Sequence, residues 1–250
     1  MKVIFEIASL EDTVNIIKDF YYQDEKEVHQ TKKHLFGYYP ELNEIDKNLS
    51  KDEKDKIIFK IVEKEYNRLY DKMTEKQKHF TLIWQEYNDK FITELSNYLN
   101  TPWHTFKDYM TGYIAPVPIF PRYPKYLSFV FSPNITDEKM IEVTAHECTH
   151  FLWFKKISEI NNTEYNNYSS DEWEYSELVV DPILNSKEMN DVLHINEKAY
   201  PYFYEQEFNG EKIMDHIKKI YEEDISIEEK ITRGFDYYKE FLKSKRRARW

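Results

Sequence analysis

A single cysteine, Cys148, stands among the 250 residues. That excludes any intrachain disulfide and any metal site built on two or more thiolates, and it fits a reducing compartment, the cytoplasm being the simplest. Basic charge is also scarce: 35 Lys and Arg against 46 Asp and Glu leave a net charge of -11. Neutralising a phosphate backbone needs a basic face, so no nucleic-acid partner is expected. The one basic cluster, Lys243-Ser244-Lys245-Arg246-Arg247-Ala248-Arg249, reads as the solvated end of a last helix, where cations suit the helix dipole. No apolar run approaches the ~18 residues that a membrane helix needs. The opening Met1-Lys2-Val3-Ile4-Phe5-Glu6 carries an acid inside its short apolar run, so neither a signal peptide nor a membrane partner is expected. Internal repeats and low-complexity linkers are lacking as well.

What the chain does have is a large apolar and aromatic content, 41% hydrophobic and 17% aromatic with 21 Tyr and 16 Phe. It is long enough to bury a sizeable core unaided, and one domain over 1–250 is the simplest organisation. The first hundred residues read as helices. Ser50-Lys51-Asp52-Glu53 opens a segment with Ile57, Ile58, Ile61, Val62, Leu69 and Met73 on one face. Thr74-Glu75-Lys76-Gln77 opens a second, with Phe80, Ile83, Trp84, Tyr87, Phe91, Leu95 and Tyr98, so a helical hairpin is expected. Between Thr111 and Pro133, five prolines forbid helix, and Lys125 to Phe131 is rich in strand formers. Prolines on the approach fit an edge strand.

Thr136 then caps a helix that begins with Asp137 and Glu138 and runs to about Lys156. Within it lies His146-Glu147-Cys148-Thr149-His150. On a helix, residues four apart share a face one turn apart, so both imidazoles can reach one metal ion. Glu147 lies about 100° around from His146, beside the metal, where it can act as a base on metal-bound water. At this composition a chance HExxH arises in about one chain in forty, so its surroundings must decide. From Val143 to Phe154 the only charge is Glu147, and Val143, Ala145, Phe151, Leu152, Trp153 and Phe154 line most sides. Two histidines and a carboxylate inside so apolar a helix are costly unless something pairs with them, and a zinc ion does so. Cys148 points away from the metal face and reads as a small buried apolar residue.

A catalytic zinc has three protein ligands. Downstream, Ser169-Ser170-Asp171-Glu172 opens a further helix that Pro182 interrupts or ends, and Glu172, Glu174 and Glu177 are its candidate third ligands. Glu177 stands directly before an apolar run with Asp181 four residues on, hence on the same face; Glu174 is the alternative third ligand. From Gly210 onward the chain is helical again, Ser226-Ile227-Glu228-Glu229 forming another capping box. A metzincin site would need a third histidine soon after the motif, and the next one is His194.

HExxH on one helix and Glu-x-x-x-Asp on a following one resembles the gluzincin metallopeptidases, the thermolysin-like clan, over about Lys125 to Asp181. The resemblance implies a zinc ion held by His146, His150 and Glu177, with Glu147 as general base and Asp181 as the outer carboxylate that accepts from a ligand histidine. It implies an α+β, mainly α, zincin-like fold with a small sheet, whose edge strand, Lys125 to Phe131, lies next to the zinc helix and pairs with substrate. Along the chain this gives a helical N-terminal portion (1–110), a zinc-site core (111–205) and C-terminal helices (206–250). The oxyanion donor would come from His104, His194, Tyr200, Tyr202 or Tyr204. The expected activity is hydrolysis of peptide bonds in a peptide or protein substrate. The alternatives are a non-peptide zinc hydrolase or amidase and a non-catalytic zinc-binding interaction protein. Oligomeric state is not legible.

Overall fold

A computed structural model describes residues 1–23, 25–103 and 108–247, with the side chains of all but 25–30. The described elements are mainly helical with a small sheet, an α+β arrangement. In chain order they are β1 (Lys2–Ile7), α1 (Leu10–Tyr22), α2 (Glu25–Tyr38), α3 (Lys51–Tyr98), β2 (Tyr109–Ile114), β3 (Arg122–Tyr123), β4 (Ser128–Phe131) and α4 (Asp137–Ile160). There follow α5 (Ser170–Leu184), α6 (Lys187–Leu193), α7 (Pro201–Glu205), β5 (Glu207–Phe208), β6 (Glu211–Lys212), α8 (Ile213–Glu222) and α9 (Ile227–Arg247). Among the described residues no helix is long and apolar enough to cross a membrane. The chain gathers into two compact units, each discontinuous in sequence.

The first unit comprises Val3–Glu86 and Tyr109–Met140. Its sheet has the order β1-β2-β4-β3. Strand β4 runs parallel to β2, from Thr111 opposite Ser128 to Ile114 opposite Phe131, and antiparallel to β3, with Arg122 opposite Phe129. Strand β4 is therefore an interior strand and not the expected edge. The prolines that point to an edge lie before it: Pro124 opens a 3-10 turn through Tyr126, Leu127 turns in the left-handed region at φ 50°, and regular strand begins only at Ser128. With β2 along its length on one side and β3 beside Ser128 and Phe129 on the other, β4 is not laid out as an open edge for a substrate strand.

Two further expectations change in this unit. The opening residues form β1 instead of helix, Val3 and Phe5 being buried while Lys2 and Glu6 are exposed, the period-two signature of a strand. And 51–98 is one helix of 48 residues instead of a hairpin. Thr74 does not cap: its hydroxyl donates back to the Tyr70 carbonyl, 3.1 Å away, as a threonine inside a helix does. No glycine or proline interrupts 51–98, so nothing forces a break. The core joins Ile17, Leu35, Leu42, Ile58, Val62 and Val130. Phe5, Phe80 and Phe131 meet beside it edge to face at 5.6–6.4 Å.

The second unit comprises Met1–Lys2, Tyr87–Asp108 and Ile141–Trp250. Here α5, α8 and α9 pack together around Trp153, Tyr175, Phe203, Tyr238 and Phe241. Gly234 on α9 faces the Tyr175 hydroxyl so closely that a Cβ there would collide with it. The buried Lys156 joins three segments, donating 2.6 Å to the Asn100 carbonyl beyond α3 and 2.9 Å to Glu228 at the start of α9. The basic end of α9 behaves as a solvated helix end: Lys243 pairs with Glu240 and Arg246 with Asp171. The β5–β6 hairpin, turning at Asn209-Gly210 with both residues at positive φ, was not expected within the C-terminal helical stretch.

Candidate metal centre

The centre lies wholly in the second unit, on α4 and α5. Thr136 caps α4, its hydroxyl accepting from Lys139 N at 3.2 Å, and the helix outlasts its expected end by reaching Ile160. Around the motif the helix is buried as its composition demands: Ala145, Cys148, Thr149, Phe151, Leu152, Trp153 and Phe154 are all at most 1% exposed. His150 is fully buried and Glu147 is 4% exposed, while the His146 ring keeps 22% of its surface open. A full capping box at Ser169 and Glu172 starts α5. Pro182 does not end this helix, which continues to Leu184.

Three donors converge. His146 Nε2 and His150 Nε2 are 2.9 Å apart, and Glu177 Oε2 lies 3.5 Å from each. In a tetrahedral zinc site with bonds of about 2.0–2.1 Å, ligand atoms are separated by roughly 3.3 Å. The observed triangle is close in size to one face of such a tetrahedron, and two nitrogens with one carboxylate oxygen form a set that could hold a metal ion and that zinc accepts. Glu174 is not part of it: its Oε1 accepts from the Tyr202 hydroxyl at 3.0 Å. Glu172 is occupied by its cap and by Asn161.

The electrostatics favour a cation. Burial works to lower the basicity of His146, yet the carboxylates of Glu177 and Glu197, with the charge of Glu147, outweigh it and push the imidazole up to about 10. A pocket that holds a proton so firmly beside three carboxylates offers the same attraction to a metal cation, with which that proton competes. Cys148 next door is driven the other way: burial first, then the Glu147 charge, raise its thiol, so no thiolate nucleophile is available.

The outer carboxylate differs from the expected one. Asp181, fully buried, does not serve a ligand histidine. Its carboxylate accepts from Asn185 Nδ2 at 2.9 Å, from Lys218 Nζ at 2.8 Å and from the Tyr204 hydroxyl. The i,i+4 spacing from Glu177 carries it one turn along α5, to where Lys218 of α8 and Tyr204 of α7 meet it. Glu197 instead stands behind His146, its Oε1 3.2 Å from Nδ1. It lies 51 residues from its histidine in a segment without regular structure, and only its being a downstream carboxylate could have marked it.

Of the oxyanion candidates, Tyr204 is engaged by Asp181 and Ala199 N, and Tyr202 donates to Glu174. Tyr200 is half exposed with its ring stacked on Tyr202, and His194 ends α6 in the left-handed region. His104 lies outside the described residues. Compared with known proteins, the chain matches no family model, no curated protein and no solved structure, so the reading of this centre rests on its own geometry.

Proposed function

We propose that this chain is a zinc-dependent metallopeptidase. The observation that carries the reading is the triangle of His146 Nε2, His150 Nε2 and Glu177 Oε2 with the buried carboxylate of Glu147 on the adjoining helix position. These three atoms would hold the ion. When bound, zinc polarises a carbonyl oxygen and brings the acidity of water toward neutrality.

The chain's own groups do the rest. Glu197, accepting from Nδ1, keeps a proton on that side of the His146 ring, so the proton that a metal displaces is the one on Nε2, which faces Glu177 and His150. Glu147, one residue past His146, takes the proton of the attacking water on its carboxylate and returns it to the departing nitrogen. Its burial, at 4% exposed, keeps bulk water from competing for that proton.

Glu147→Gln keeps the shape and all three metal donors while removing the base. The expected result is one zinc per chain in wild type and variant alike, with cleavage of a mixed peptide library falling by at least about a hundredfold. Zinc uptake without peptide cleavage in the wild type would favour a non-peptide zinc hydrolase or a non-catalytic zinc protein.

A further inference from the structure

Resting on the metal-centre reading, we propose that the segment from Glu197 to Tyr204 is a strap that sets zinc affinity, and that Asp181 is its anchor and so a positioning residue acting through others. The contacts form an unbroken chain. Asn185 Nδ2, at the end of α5, donates to the Asp181 carboxylate at 2.9 Å and to the main-chain oxygen of Glu197 at 2.7 Å. On the other side of the same carboxylate, Tyr204 donates its hydroxyl to Asp181 and accepts from Ala199 N at 3.1 Å. Asp181 thus holds the backbone on both sides of Lys198, and Lys218 supplies the opposing charge at 2.8 Å while its Nζ lies 5.6 Å from the Tyr204 ring centre. What this fixed backbone carries is the Glu197 carboxylate on His146 Nδ1.

A buried carboxylate surrounded by three donors is well satisfied where it is, which makes it a firm anchor and a poor ligand. Residues 194–200 contain no helix or strand of their own, so the hydrogen bonds at the Glu197 carbonyl and the Ala199 N–H are the ones that hold Glu197 against the imidazole. Losing that contact frees the ring to rotate and to change tautomer, and an outer partner of this kind is worth about 10–100-fold in metal affinity.

The test is a double-mutant cycle read as zinc dissociation constants of the full chain, measured by competition with a chromophoric chelator, with thermal midpoints of the metal-free proteins alongside. Glu197→Ala is expected to weaken zinc about 10–100-fold. Asn185→Ala and, separately, Tyr204→Phe are expected to weaken it about tenfold, because each loosens one side of the strap. Combined with Glu197→Ala, neither should weaken it further, since nothing remains on the strap for them to position. Tyr204→Phe keeps the ring and the fold if Asn185→Ala disturbs the end of α5. Losses that add in the combined variants, or no change in zinc affinity in either single variant, would overturn the strap. A wild-type chain that takes up no zinc would overturn the metal centre itself and this inference with it, whereas additive losses leave the centre standing.

Discussion

Gly234→Ala tests the packing behind the candidate centre. Tyr175 is fully buried two residues before Glu177 on α5, and its ring is fixed by Trp153 at 5.9 Å, Phe235 at 5.3 Å and Tyr238 at 5.7 Å. A methyl at 234 would run into the Tyr175 hydroxyl, and a ring held on three sides cannot swing away. Overpacking costs about 1–3 kcal/mol, and a direct collision with a ring fixed on three sides belongs in the upper half of that range, about 2–3 kcal/mol, while replacing glycine by alanine inside a helix gives back about 1 kcal/mol. The net is a loss of about 1–2 kcal/mol, which for a chain of this size lowers the thermal midpoint by roughly 3–6 °C. Tyr175→Phe removes the atom that is struck and leaves Tyr175 Cζ at 3.3 Å and Ile217 Cδ1 at 3.4 Å, contacts that small shifts relieve. In that background, adding Gly234→Ala should therefore cost almost nothing. Equal midpoints for Gly234→Ala and wild type, or the same loss with and without the Tyr175 hydroxyl, would refute the argument.

Thr74→Ala separates one long helix from a hairpin: an interior threonine replaced by alanine gains a few tenths of a kcal/mol, whereas losing an N-cap costs about 1 kcal/mol, and chemical denaturation reads the sign. Ser169→Ala removes a true capping box from the helix that bears Glu177, and the same measurement should show a loss of about 1 kcal/mol. Glu228 gives a pH dependence. The Lys156 ammonium beside it holds its carboxyl at about 2, so the pair stabilises fully above the ordinary carboxylate range and the contribution fades as pH falls from about 4.5 toward 2. Glu228 is over a third exposed, which limits the effect to about 1 kcal/mol. The stability gap between wild type and Glu228→Gln should be open at pH 6 and much narrowed by pH 2.5, closing as pH passes through about 2; a gap independent of pH would contradict this.

What could be read in the sequence was local. Thr136 with Asp137 and Glu138 announces α4, Ser169 with Glu172 announces α5, and the apolar surroundings of His146 to His150 announce a buried helix, all within one or two turns of chain. The apolar run after it marks Glu177 over Glu174 as the inward-facing carboxylate, and the helix turns it inward, beside His146 and His150. Structure departs from sequence expectation where a local sign is ambiguous or the cause is distant in the chain. Thr74-Glu75-Lys76-Gln77 has the letters of a capping box, but a helix already under way simply absorbs them. The prolines before β4 say nothing of β2, whose pairing makes β4 interior. Asp181 has the right spacing from Glu177, but tertiary neighbours, Lys218 and Tyr204, claim it. Glu197 reaches His146 only through the fold.

The central claim is that His146, His150 and Glu177 together bind one zinc ion, and the most direct test is metal content. The purified full chain is equilibrated with zinc, dialysed, and assayed by elemental analysis beside Glu177→Gln and Glu174→Gln. One zinc per chain is expected in the wild type and in Glu174→Gln, and far less than one in Glu177→Gln, which exchanges an anionic donor for a weak neutral one. A wild-type chain that retains no zinc, or a Glu177→Gln variant that retains it as well as the wild type does, would contradict the account.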